Sequence, residues 1–250
     1  MGSLRTSALV GAFILLMPSA GAFAADMLGP PPSIPPPVEF GSGWYLRGDL
    51  GYKHYTTPDA HFDLAGYGDM INESISDTGL AGVGFGYKWN QNFRTDLTFD
   101  YEWPGHFHGN LPCPGPCTPG VDFSDEYANV SAWTGLLNGY VDLGTFSGIT
   151  PYVGGGVGVS YLTTTNVHYL NPDASTGTWG GDSTLNFAWA VTAGASYDFG
   201  NNWALDVNYR YAHLGSAISA PTAPIFGNEA IHYDNINAHE LRVGLRYAIQ

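Results

Sequence analysis

Residues 43–52 read GWYLRGDLGY. Trp44, Leu46, Leu50 and Tyr52 take alternate positions, and Arg47 and Asp49 fall between them. A period of two is the mark of a β-strand with unlike faces. One face is apolar and the other charged, so the fold depends on which of them meets water. The same alternation returns over residues 81–89, 93–103, 127–143, 153–161, 185–199, 203–211 and 241–249. Eight strands follow, the one at 127–143 interrupted by Leu136 on the face opposite its other apolar residues.

The charges keep to one phase throughout. Arg47, Lys53, Lys88, Arg94, Arg210, Arg242 and Arg246 lie opposite the apolar residues, with Asp49, Asp96, Asp100, Glu102, Asp142, Asp198, Asp206 and Glu240. In a soluble sandwich that face would be the wet one. In a membrane barrel it would line the lumen, and the apolar face would meet lipid. The aromatic residues decide between the two. Trp44, Trp89, Trp103, Trp203 and Tyr247 sit on the apolar face near strand ends. Amphipathic rings collect there at a membrane interface, whereas a buried core concentrates bulk at strand centres.

The connections agree. WNQNF, LGTFSGI and FGNNW are short, while the connections at about 54–77, 104–126, 163–183 and 213–236 are each roughly 20 residues long. Tight turns at one end and long loops at the other are expected of an outer-membrane barrel. The sequence therefore predicts an all-β fold, an eight-stranded antiparallel transmembrane β-barrel over 43–250. With eight strands the interior has room for little beyond side chains. Acids and bases nearly balance on the inner face, so the expected lumen is an ion-pair network that plugs the barrel. Gly82, Gly84, Gly86, Gly154, Gly156 and Gly158 share that phase and leave space for long charged side chains.

Composition narrows the function. The 250-residue chain has 22 Asp+Glu against 8 Lys+Arg, and its 12% charged residues are about half the usual share. So few bases exclude a nucleic-acid partner, because phosphate neutralisation needs clustered Lys and Arg. GGGVGVS at 154–160 is not a nucleotide loop, since no helix pattern follows it. Residues 1–24 form an export signal: Arg5, then an apolar run, then small residues ending at Ala24. Residues 25–42, with GPPPSIPPP, form an extended periplasmic tail. Export makes a Cys113–Cys117 disulfide in the second long loop the expected state of CPGPC. The long connections carry acids such as Asp59, Asp63, Asp69, Asp125 and Asp234, and no Lys or Arg.

GWYLRGDLGY, GVGFGYKWNQNFRTDLTFDYEW (82–103), TPYVGGGVGVSY (150–161) and HELRVGLRYAIQ (239–250) together resemble the small outer-membrane surface-antigen barrels of alphaproteobacteria. These belong with the opacity proteins and the OmpA-type transmembrane domain. The resemblance spans about residues 43–250. It implies extracellular loops, outer-membrane lipid and lipopolysaccharide as surroundings, and roles in envelope integrity and surface recognition. It also implies that the β-barrel assembly machinery reads the C-terminal strand. Such barrels usually finish on an aromatic residue, whereas this chain ends Ile249-Gln250.

The expected function is that of a non-enzymatic surface protein, with no cofactor and no metal site, and with acidic loops open to an extracellular ligand. A narrow porin-like channel is the first alternative. A lipid-A-modifying enzyme is the second. It would use His54, His213 or His239, which fall at the outer rim on strands that adjoin once the barrel closes. Catalysis there needs a nucleophile and an orienting acid, and Ser216 and Asp234 are the nearby candidates.

Overall fold

The computed structural model describes residues 43–64, 66–112, 123–221 and 229–249. The export signal, the Pro-rich tail and the Cys113–Cys117 pair lie outside them. Among the described residues the regular structure is all strand: β1 (Gly43–Tyr55), β2 (Asp59–Phe62), β3 (Ile71–Ile75), β4 (Thr78–Lys88), β5 (Phe93–Pro112), β6 (Phe123–Asp142), β7 (Ile149–Leu170), β8 (Thr176–Trp179), β9 (Ser183–Gly200), β10 (Trp203–Ile218) and β11 (Ile231–Ala248). The long strands pair antiparallel in the order β1-β4-β5-β6-β7-β9-β10-β11, and β1 also pairs with β11. That last pairing runs from Tyr45 opposite Ala248 to Tyr55 opposite Ala238. It closes an eight-stranded ring and leaves no exposed sheet edge along the seam.

The tight turns follow from local chemistry. Ser147 and Gly148 have φ of 52° and 85°, and Asn201 and Asn202 have φ of 52° and 67°. Two successive positive φ values build the hairpin turn whose twist matches that of the flanking strands, and Gly and Asn tolerate it best.

Outside the ring the apolar face stands bare. Leu50 is 65% exposed and Leu241 63%, while Arg242, next to Leu241 but on the inner face of β11, is 1% exposed. This arrangement suits a hydrocarbon surround and not water. Trp44 and Tyr52 on β1, like Trp203 and Tyr211 on β10, bracket about 20 Å of barrel height at ~3.3 Å per residue and ~40° tilt.

The long connections differ from their sequence reading. Much of 104–126, 163–183 and 213–236 continues the strands, with β5 running to Pro112 and β7 to Leu170. β2 pairs with β11, β3 with β5 and β8 with β7 at this same end. The physical reason is an inversion of phase. Along β6, Trp133, Leu137 and Val141 face outward, but beyond Trp133 the apolar residues Ala132, Val130 and Ala128 are the buried ones. Where a strand leaves lipid for water, its outer face turns polar and its inner face apolar. Pro104, where the alternation of 93–103 stops and the sequence reading begins the second long connection, sits inside β5 at a register shift between Glu102 and Gly105, where a missing N–H is tolerated.

Candidate functional site in the barrel lumen

The inner face of the ring holds three tiers of polar side chains. At the short-turn end, Arg94 bonds Asp142 through Nε at 3.1 Å. Its guanidinium lies between the rings of Tyr140 and Tyr152, 4.2 and 4.3 Å from their centroids. Tyr152 donates to Asp206, which also faces Arg246 at 3.7 Å. In the middle, Arg47 grips Asp49 with two bonds of 2.8 Å and reaches Asp96 on β5 at 3.0 Å. Arg242 forks onto Asp100 at 2.6 and 2.9 Å, and Arg210 bonds the same carboxylate at 3.1 Å. Toward the long-loop end, Lys53 pairs with Glu102 and, at 3.0 Å, with Glu240. Thr134 donates to Glu102 at 2.8 Å.

One of these contacts crosses the lumen from wall to wall. β5 and β10 occupy opposite places in the ring of eight, so the Arg210–Asp100 pair spans its diameter. The inner glycines make room for this. A Cβ on Gly82 would come within 1.8 Å of Asp100 Oδ1, and one on Gly244 within 2.2 Å of Asp49 Oδ1. Two residues named with this group are, like Arg246, less buried than the rest. Lys88 is half-buried in register with Arg94. Asp198 is half-buried and accepts the Gly200 N–H at 2.9 Å, capping the β9–β10 turn.

Above the polar tiers the interior becomes apolar. Phe107, Val130, Leu162, Leu214, Ile231, Tyr233 and Ile236 are buried in one cluster with Phe62 and Met70 from the first long connection. Phe107 meets Tyr233 edge-on at 4.7 Å, and Phe62 stacks near Trp179 at 5.8 Å. Sequence reading did not find this cap: Val130, Leu162, Leu214 and Ile236 keep the parity of the lumen charges on their strands, but register shifts put Phe107, Ile231 and Tyr233 in the other phase. It also passed over the inward Tyr45, Tyr140 and Tyr152, which share the parity of the lumen charges. Glu126 is buried against the cap, beyond the membrane belt. Burial pushes its carboxyl up to about 7, against a 2.7 Å hydrogen bond from Ser124 and with help from the neighbouring Asp125 charge.

On the outer wall, Trp44 stacks on Phe85 at 4.7 Å, Trp89 meets Tyr87 at 4.8 Å and Trp203 meets Tyr247 at 4.9 Å, all toward the short turns. Trp103 lies with Tyr101 and Trp133 toward the other end, where Trp189 joins Tyr211. The rim histidines occupy this second belt. His54 bonds Asp77 at 2.7 Å, His239 bonds the Tyr209 hydroxyl at 2.6 Å and His213 bonds Asn237 at 2.7 Å. His54 and His239 face each other across the β1–β11 seam, their rings 6.5 Å apart. The residues expected to assist them are elsewhere: Ser216 pairs with Asn186, and Asp234 faces His61 at 3.4 Å.

The family described as outer membrane protein beta-barrel domain matches residues 12–248. An uncharacterized protein of Brucella melitensis is 30% identical, over 93% of this chain and 94% of its own length. The 31 kDa outer-membrane immunogenic protein of the same organism is 27% identical, over 94% and 97%. Among solved structures, the outer membrane protein OprG of Pseudomonas aeruginosa superposes with a TM-score of 0.48 at 17% identity, over 84% of this chain and 97% of that one.

Proposed function

The chain belongs to the outer membrane protein β-barrel family, and on that premise we propose that it is a non-enzymatic surface protein with a lumen sealed twice. The observation that carries this reading is the Arg210–Asp100 contact at 3.1 Å between opposite walls. A water-filled pore wide enough for a solute has no room for a charge pair across its diameter. Arg47–Asp96 and Lys53–Glu102 add shorter ties past the intervening β4, between β1 and β5, the first in the same tier and the second toward the long-loop end. The apolar cap above them adds a second barrier of different chemistry, since an ion would have to shed its water to pass Phe107 and Tyr233.

The barrel is then a rigid stem that displays its long-loop end outside the cell, with the acidic connections as the recognition surface and the N-terminal tail in the periplasm. Surface antigenicity is consistent with the immunogenic relative. Lipid and lipopolysaccharide surround the outer wall between its aromatic belts. The assembly machinery would read β11, whose outward Leu241, Val243, Leu245 and Tyr247 keep the alternating terminal pattern.

Solute uptake tests the seal. Proteoliposomes containing the refolded barrel should take up small sugars no faster than protein-free vesicles. Uptake that scales with the amount of protein would favour the channel reading and remove the sealed lumen.

A further inference from the structure

β2 and the outer part of β11 carry a cluster that neither the lumen nor the belts use. His61 on β2 stands directly opposite His232 on β11. Their rings stack at 5.0 Å with an interplanar angle of 8°. Asp63, one residue past β2, turns one carboxylate oxygen to each: Oδ2 lies 2.8 Å from His232 Nε2, and Oδ1 lies 3.7 Å from His61 Nε2. One donor atom from each of the three residues falls within 4.8 Å of the others. All three side chains are partly open to solvent.

From this convergence we propose that His61, Asp63 and His232 form a binding site for a divalent transition metal of the zinc class. Two imidazole nitrogens and one carboxylate make a borderline donor set, which favours zinc over calcium or magnesium, whose preferred ligands are oxygens. Tetrahedral zinc with bonds near 2.0–2.1 Å holds its ligand atoms about 3.3 Å apart. One donor atom from each residue lies within 4.8 Å of the others, so side-chain rotations of an ångström or so close the site. The fourth position opens toward solvent.

His61 also has the partner that a zinc-bound imidazole needs. With Nε2 turned to the metal, Nδ1 faces Asp234 Oδ2 at 3.4 Å. A carboxylate on the far nitrogen fixes the tautomer and ring orientation of a metal-bound histidine. The backbone holds the third ligand in place, as the Asp63 N–H donates to Ala230 at 3.2 Å.

The site sits on the outside of the apolar cap. His61 alternates with the buried Ala60 and Phe62, and His232 lies between the buried Ile231 and Tyr233. Metal binding would therefore staple the first long connection to β11 while those neighbours pack the cap from within.

The test is a zinc titration of the untagged, refolded mature protein by calorimetry. The expected result is one zinc bound per chain at micromolar or lower concentration, undiminished by millimolar magnesium or calcium. His61→Gln and His232→Gln should each weaken binding at least tenfold, Asp234→Asn less so, and His54→Gln not at all. X-ray absorption of the zinc-loaded wild type needs no variant and should count two imidazole ligands. No saturable binding, a spectrum without imidazole, or affinity that survives His61→Gln and falls with His54→Gln would overturn the site.

Discussion

Replacing Asp100 by alanine strikes the point where the lumen is crossed. Its carboxylate accepts two bonds from Arg242 and one from Arg210, and it is 3% exposed. Removing one partner of a buried pair costs about 3–5 kcal/mol, because the remaining charge is stranded. Arg242 keeps Glu240 at 3.2 Å and a longer approach to Asp49 at 3.9 Å. Arg210 keeps a weak bond to Thr192 at 3.4 Å and the nearby Glu240 charge, with which it is in register. The expected loss for Asp100→Ala is therefore at the lower end, about 3 kcal/mol. Asp100→Asn, which retains an acceptor oxygen and most of the volume, should lose about half as much. Equilibrium unfolding in detergent, followed by tryptophan fluorescence and by the mobility of the unheated barrel on gels, measures both. In an Arg210→Met background the cost of Asp100→Ala should shrink by ~1–2 kcal/mol, the coupling expected of residues in direct contact. A loss below ~0.5 kcal/mol with no coupling to Arg210 would refute the claim that this contact closes the barrel.

Three other outcomes follow from the same geometry. Gly82→Ala puts a methyl group against Asp100 Oδ1 and should cost ~1–3 kcal/mol by overpacking, a cost that largely disappears in an Asp100→Ala background, where the unfolding midpoints of the single and double variants compare directly. Glu126 has a folded-state value of about 7 against an unfolded 4.5. Its contribution is thus fully present below about pH 4.5 and is lost as pH rises through 7, a swing on the order of 3 kcal/mol. Glu126→Gln should flatten that slope and leave the cap relatively more stable at pH 8, as read by hydrogen exchange at β6 and β11; an unchanged slope would contradict the burial argument. Mass spectrometry of lipid A should give the same profile with and without expression of the protein, and a new acylation or deacylation product would revive the rim histidines as a catalytic site.

The barrel was legible because lipid and lumen impose opposite demands on alternate residues. In GWYLRGDLGY, Trp44, Leu46 and Leu50 could not share a face with Arg47 and Asp49, and the rule held down to Arg246 beside Tyr247. It broke where its physical premise ended. Beyond Trp133 on β6 and His239 on β11 the outer face meets water, so apolar residues cross to the inner face. A reading fixed to one apolar phase ends the strand there and calls the rest a loop, although the backbone pairing resumes beyond local register shifts. The cap was hidden by that inversion. The partners within the lumen were hidden differently: parity gives the face of Asp100 and Arg210, but only closure of the ring makes them neighbours. The His61–Asp63–His232 cluster depends in the same way on β2 folding back against β11.

Single-channel recording in planar bilayers tests the sealed lumen most directly. The wild-type barrel should insert and leave the current at baseline across the voltage range. A variant trimmed in both layers (Arg47→Ala, Arg210→Ala, Phe107→Ala, Tyr233→Ala) serves as the open control. Reproducible unitary steps from the wild type would contradict the account.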